Sequence, residues 1–199
     1  MRSSDRPRWN HNIHFHPVVL SAIPAGARSA LDIGTGNGLL AVELRRRVDE
    51  VVAVDLDAGV LREAASDHPD IDWLQADVMA HDFGRRFDVV ASVATVHHLP
   101  DLRAGLRRMA ELTAPGGVLV VVGVARGSTT LDYARSLIGV LQHQWYARTR
   151  GVWEHTAPTV WPPPHTFTDV RRAAAEVLPG SRWRHFALWR YAILWRRPA

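Results

Sequence analysis

Cysteine is absent from this 199-residue chain. That excludes disulfides, thiolate zinc sites, iron–sulfur clusters and every cysteine nucleophile. Lysine is absent as well: all 24 residues of the combined Lys and Arg count are Arg. No P-loop lysine, Schiff-base lysine, Tyr-x-x-x-Lys dyad or lysine general base can operate here. No run of about 20 apolar residues occurs, so no membrane-spanning helix is expected. The N-terminal stretch Met1–Arg8 is not followed by the apolar segment of a secretory signal, and the cytosol is the expected compartment.

What is present suits one globular domain, with 47% hydrophobic and 22% charged residues. A chain of this size buries about 70% of its unfolded surface, so a core needs no staple. The charge is uneven. Residues 1–120 carry 13 Arg against 16 acids, whereas residues 121–199 carry 11 Arg against four (Asp132, Glu154, Asp169 and Glu176). Such asymmetry can mark a nucleic-acid face. Here the arginines are scattered among Trp and Ala rather than clustered, which speaks against nucleic acid as the partner.

Short Val-rich runs alternate with helical periodicity, the pattern of a parallel α/β sheet. Strands are predicted at Ser29–Ile33, Val51–Asp55, Ile71–Gln75, Phe87–Val93 and Val118–Val124, the last entered through a Pro115-Gly116-Gly117 turn. Helices are predicted from Pro17 to Ile23, from an Asn37 cap to Arg47, and over Ala58–Ser66 and Asp101–Leu112. Beyond residue 125 the alternation stops. Helices are expected over Leu131–Tyr146 and Phe167–Val177, then an antiparallel hairpin of Arg182–Leu188 and Arg190–Trp195 about Trp189.

Three strand ends carry chemistry. After the first strand, Asp32-Ile33-Gly34-Thr35-Gly36-Asn37-Gly38 sets three glycines at spacing two before a helix. Bare backbone there lets a ligand approach a helix N-terminus. Asp55 ends the second strand, 23 residues after Asp32, where a carboxylate suits vicinal ribose hydroxyls. Asp57 could substitute, and Leu56 offers a purine an apolar wall. Asp77-Val78 follows the third strand, pairing a carboxylate acceptor with a backbone N–H donor as an adenine edge requires.

With Phe87-Asp88-Val89-Val90 and Pro115-Gly116-Gly117-Val118-Leu119, this set resembles the class I S-adenosylmethionine-dependent methyltransferases across residues 28–125. The resemblance implies a Rossmann-like, doubly wound α/β fold with helices on both faces. Its seven-stranded sheet would be mostly parallel, with an antiparallel last strand. It also implies S-adenosylmethionine as cofactor and S-adenosylhomocysteine as product. By the same resemblance Asp32 lies near the methionine ammonium, and Gly34, Thr35, Gly36 and Gly38 form the loop beneath the cofactor. Asp55 takes the ribose, Leu56 and Val78 flank the adenine, Asp77 takes its amine, and Ala94 faces the methionine. Thr35 stands where many relatives have a small residue or Cys, and its side chain is expected to matter little.

His97 and His98 follow the fourth strand, where either imidazole could accept a proton from a substrate. Local packing is the plainer reading of the pair. His11 and His14, in a His-rich N-terminal stretch, could belong to a lid over the substrate. Trp145 and Trp153 could line an aromatic acceptor pocket with Tyr146, Trp161, Phe167, His143, His155 and His165, or pack as an ordinary insertion. No carboxylate at matching spacing accompanies these histidines, so no metal is expected. The expected organisation is a lid (1–27), a cofactor core (28–125), a substrate-side cap (126–180) and a C-terminal hairpin (181–199).

The absences also prune the reaction. Without Cys there is no covalent C5-pyrimidine methylation, and without Lys no Lys-Asp-Lys-Glu tetrad. No Asn/Asp-Pro-Pro-aromatic motif follows the fourth strand, as exocyclic-amine methylation of DNA would need. A small-molecule acceptor remains, with oxygen before nitrogen or carbon. A methyltransferase acting on RNA, a non-catalytic S-adenosylmethionine-binding protein and a nicotinamide oxidoreductase stay as alternatives. The last lacks a recognisable hydride-handling dyad.

Overall fold

A computed structural model describes residues 9–153 and 162–199. Its centre is a seven-stranded sheet in the order β3-β2-β1-β4-β5-β7-β6. The strands are β1 (Ser29–Ile33), β2 (Glu50–Asp55), β3 (Asp72–Gln75), β4 (Phe87–Val93), β5 (Thr113–Val124), β6 (Arg182–His185) and β7 (Arg190–Arg196). Pairing is parallel from β3 through β5, and β7 runs antiparallel to both β5 and β6. The Val-rich runs become central strands because both faces of the sheet are covered. β1 is buried at every position, and β5 from Gly117 through Val124.

One face is closed by α1 (His16–Leu20) and α2 (Leu39–Arg45), through Val19, Leu40, Ala41 and Leu44. The other is closed by α4 (Leu102–Leu112) and α6 (Phe167–Val177), through Leu106, Met109, Phe167 and Val170. α3 (Ala58–Asp67) flanks β3. The long α5 (Thr130–Arg150) crosses the β6–β7 connection, where a Cβ on Gly139 would meet the Leu188 backbone nitrogen at 2.8 Å. Caps follow local sequence: Asp101 accepts from the backbone of Arg103 and Ala104, and Thr129/Asp132 and Thr166/Asp169 form capping boxes.

Four local expectations are corrected. Asn37 does not cap α2; Gly38 does, at φ 75°, and its backbone supplies the left-handed turn. α1 ends at Leu20 rather than Ile23. Pro115-Gly116-Gly117 lies within β5 as a bulge, since Phe87 pairs with Thr113 but Val89 with Val118. The hairpin turns over residues 186–189, with Leu188 and Trp189 both at positive φ, rather than about Trp189 alone.

Asp88 ties β4 to the start of β1. Its Oδ2 accepts from the backbone N–H groups of Arg28 (2.9 Å) and Ser29 (3.0 Å) and from the Ser29 hydroxyl (3.0 Å). Burial alone would raise its pKa, but these bonds and the nearby Arg85 outweigh it and hold the carboxyl below its usual 3.8. A depressed folded pKa adds stability above the unfolded value that is lost as pH falls through the folded one. Asp88→Asn is therefore expected to lower stability at pH 7 by about 1–2 kcal/mol and to flatten its decline below about pH 4. Urea unfolding across pH reads both changes.

Candidate active site

The parallel strands bring their carboxyl ends to one rim, the place where open α/β sheets bind ligands. Asp32 sits one residue from the end of β1 and Asp55 ends β2. Asp77 and Ala94 follow the ends of β3 and β4. Backbone bonds hold the loops between neighbours: Gly34 and Thr35 donate to the Val54 carbonyl at 2.9 and 3.1 Å, and Ala94 donates to that of Val122 at 2.7 Å.

The three glycines have different tasks. A Cβ on Gly34 (φ 69°) would collide with the Thr95 side chain, and one on Gly38 would collide with the Trp73 ring. Those two are fixed by the protein's own packing. Gly36 (φ 55°) has nothing within 4 Å of a built Cβ, so its bare backbone faces open space. Thr95, unremarked in the sequence, also donates its hydroxyl to the Gly34 carbonyl at 3.3 Å.

Asp32 is 2% exposed and accepts a hydrogen bond from the Thr35 hydroxyl at 2.7 Å. The Thr35 side chain therefore has a task, contrary to the sequence expectation; folding the loop back on β1 points its hydroxyl at the carboxylate. Burial raises the Asp32 pKa to about 6, opposed by the Thr35 bond and by His16, with Asp55 adding to the rise. His16 is itself buried on α1, 3.3 Å from Glu43.

Asp55 accepts from the backbone of Gly36 (2.8 Å, Oδ2) and of Asp57 (3.1 Å, Oδ1). A carboxylate has about four lone-pair directions, so two remain free for a ligand. Asp57 instead caps α3 through Gly59, which favours Asp55 as the ligand-facing acid. Leu56 is 69% exposed, a bare apolar side chain beside that acid. Asp77 is exposed and caps its own turn through the Met79 N–H, while Val78 is buried against the core.

Ala94 adopts φ 57°, a costly conformation for a residue with a Cβ. It turns the chain from β4 into the one-turn 3-10 helix Val96–His98. The rings of His97 and His98 lie 4.1 Å apart. His98 is exposed and His97 half-buried, with its Nδ1 buried and without a partner. Burial, then His98 and Arg190, push the His97 pKa down to about 4, so it is neutral at pH 7.

The N-terminal histidines pack inward. His11 Nε2 lies 2.9 Å from His143 Nδ1 on α5, and burial followed by Arg190 lowers its pKa to about 4. His14 meets the Phe15 ring edge-on at 4.9 Å and the Tyr146 ring at a tilt at 5.0 Å, and burial and Arg150 lower its pKa. The predicted aromatic pocket does not form as one cluster among the described residues. Tyr146 faces Trp9 at 5.1 Å, while Trp145, one residue and about 100° round the helix, is 66% exposed in line with Leu137 and Leu141. Trp153 donates its backbone N–H to the Trp9 carbonyl at 2.8 Å. Phe167 belongs to the core under α6, and Trp161 and His155 lie outside the described residues. Among the described residues no three His, Asp or Glu groups are placed to hold a metal ion, and no helix is long and apolar enough to cross a membrane.

Residues 31–121 match the methyltransferase domain family. An uncharacterized methyltransferase from Mycobacterium tuberculosis is 40% identical over 204 residues, covering 98% of this chain and 99% of that relative. The chain belongs to the class I S-adenosylmethionine-dependent methyltransferases. A ubiquinone biosynthesis O-methyltransferase from Azorhizobium caulinodans is 34% identical over 71% of the chain, which spans 57% of that relative. Solved structures share the fold at low identity. The N-methyltransferase NodS from Bradyrhizobium japonicum, in complex with S-adenosyl-L-homocysteine, has a TM-score of 0.63 at 18% identity, over 98% of this chain and 90% of that one. The amino pentose methyltransferase CalS10 from Micromonospora echinaspora, with S-adenosylmethionine bound, has a TM-score of 0.64 at 20% identity, over 94% and 89%.

S-adenosylmethionine is the methyltransferase's cofactor, and the rim fits it: open backbone at Gly36, free lone pairs on Asp55 and the exposed Leu56 lie together. The buried Asp32 carries a cost in the cofactor-free protein. Its folded pKa of about 6 exceeds the ordinary 3.8, so its contribution is present below the lower value and is lost as pH rises through the higher. Without cofactor, Asp32→Asn is expected to be more stable than the natural enzyme at pH 8, by up to about 3 kcal/mol, and close to it at pH 4. Denaturant unfolding at the two pH values checks this.

Proposed function

We propose that this methyltransferase moves a methyl group from S-adenosylmethionine onto an oxygen of a small-molecule acceptor. The observation that carries the reading is the His97–His98 pair beyond the strained Ala94, with an imidazole kept neutral at pH 7. When bound, S-adenosylmethionine supplies an electrophilic methyl on a sulfonium, a leaving group that needs no general acid. The chain's work is then alignment, worth about 7–11 kcal/mol in well-oriented systems, plus removal of the acceptor's proton. His98 or His97 takes that proton from a hydroxyl. Asp32 attracts the methionine ammonium, while Gly34, Thr35, Gly36 and Gly38 form the floor beneath it. Asp55 holds the ribose, Leu56 and Val78 flank the adenine, Asp77 accepts from its amine, and Ala94 faces the methionine end.

In this reading residues 28–125 hold the cofactor, residues 1–27 and 126–180 face the acceptor, and 181–199 close the sheet. His11 and His14, half-buried against α5 with pKa values lowered first by that burial, shape the acceptor side. Oxygen is favoured over nitrogen by the placement of a base, and the likeness to an O-methyltransferase over 71% of the chain agrees with it. Matched hydroxyl and amine acceptors, assayed with methyl-labelled cofactor, test the choice. Label on the amines alone would overturn it.

Asp55→Ala is expected to weaken S-adenosylhomocysteine binding by about 2–4 kcal/mol in calorimetry; an unchanged Kd would remove Asp55 from the ribose site. The pH profile separates two groups. Protonation of Asp32 should lower kcat/KM for S-adenosylmethionine as pH falls through about 6, because the ammonium loses its carboxylate. If His97 is the base, kcat should hold down to its own value of about 4. Replacing both His97 and His98 by Ala should cut kcat by about 10²–10⁴ while leaving cofactor affinity in place.

A further inference from the structure

Arg190 opens β7, a strand otherwise apolar until Arg196, and is only 8% exposed. Its Nη2 donates to the Asn12 side-chain oxygen at 2.8 Å, and its Nε is buried with no acceptor. Among the described residues no carboxylate forms an ion pair with it. Burial lowers its pKa only to about 10, so the guanidinium is charged at pH 7. A buried cation without a counter-ion is costly, and breaking such pairing is among the most damaging changes a core can suffer. The described residues thus leave this charge open to an anionic ligand.

The surroundings point the same way. Burial first, with nearby Arg190 adding to it, lowers the pKa of His11 and of His97 to about 4, so neither carries charge at pH 7. Trp9 Nε1, in the N-terminal segment that supplies Asn12, and His97 Nδ1, just beyond Ala94, are also buried without a hydrogen-bond partner. Among the described residues the local inventory is one fixed positive charge and several unpartnered nitrogens, with no carboxylate paired to that charge. A monoanion balances it; a phosphate dianion would leave a buried negative charge. A planar carboxylate also matches the guanidinium fork.

We propose that Arg190, set between Asn12 and His97, is the anion-binding subsite of the acceptor and receives a carboxylate carried by the substrate. The inference rests on the small-molecule reading above and narrows it to carboxylate-bearing acceptors. Arg190 acts by positioning: it anchors the acid and leaves proton removal to the histidines.

The test uses the full chain saturated with S-adenosylhomocysteine. Formate and acetate serve as probes, with formamide and chloride as controls at constant ionic strength. The Arg190 Nε–H resonance is expected to shift saturably with the carboxylates and not with the controls. An equal response to chloride would mean an adventitious ion only and would overturn the proposal, as would no response. Labelled methyl transfer to paired carboxylic acids and their amides should favour the acids. In Arg190→Gln, turnover of those acids should fall at least about 100-fold with the Kd for S-adenosylhomocysteine within about twofold.

If Arg190→Gln instead weakens S-adenosylhomocysteine tenfold, the guanidinium holds the cofactor and the proposal falls. If acids and their amides turn over equally in the natural enzyme, or the acids turn over equally in both enzymes, the inference fails while the small-molecule reading stands. If carboxylates bind at Arg190 but no small acceptor is methylated, the small-molecule reading fails instead, and the subsite's assignment to such an acceptor falls with it. Arg190→Met guards against a purely structural role. Without ligand its Tm should match or exceed that of the natural enzyme, and formate should no longer raise it. A large loss of Tm with no formate effect in the natural enzyme would make Arg190 a tie to Asn12 and nothing more.

Discussion

The glycine loop is tied to the end of β2, and the active rim depends on that tie. Gly34 and Thr35 donate to the carbonyl of Val54, and Gly36 donates to the carboxylate of Asp55. One strand end thus sets the height of the loop, the open face at Gly36 and the direction of the Asp55 lone pairs. Because β1 and β2 pair in parallel register from Ser29–Glu50 to Ile33–Val54, a slip of one residue would turn every one of these groups to the wrong face. Thr95 closes the arrangement from the β4 side, resting where a Gly34 side chain would be.

Most of this was legible because it rests on periodicity and on backbone that only glycine supplies. Phe87–Val93 and Phe167–Val177 form over those residues, since a Val-rich run between breakers and a Thr-x-x-Asp cap leave little choice of boundary. Asp32, Asp55 and Asp77 fall at strand ends for the same reason. What stayed hidden depends on partners distant in sequence. Asn37 has the chemistry of a cap, but the turn needs a left-handed residue and Gly38 provides it. Thr35 reads as a spacer until the loop folds back onto Asp32. Trp145 and Tyr146 are neighbours in sequence yet face opposite surroundings, because α5 rests on the hairpin along one side only.

The groups that weaken the fold are gathered at the rim. Ala94 sits at a positive φ, Asp32 is buried with a pKa raised to about 6, and Arg190 is a buried cation with no ion pair among the described residues. The Val-rich strands and the paired α4 and α6 beneath can carry these costs, since they bury a continuous apolar core. Such departures from local rules are common at functional sites.

The N-terminal segment has a consequence of its own. Val19 is fully buried, His16 bears electrostatically on Asp32, and Asn12 is hydrogen-bonded to Arg190. Residues 12–19 thus bear on Asp32 and on Arg190 at once. Docking of this segment and occupancy of the centre are then linked equilibria, and each must favour the other by the same free energy. Bound ligands would slow proteolysis near Asn12 even though no cut site touches them.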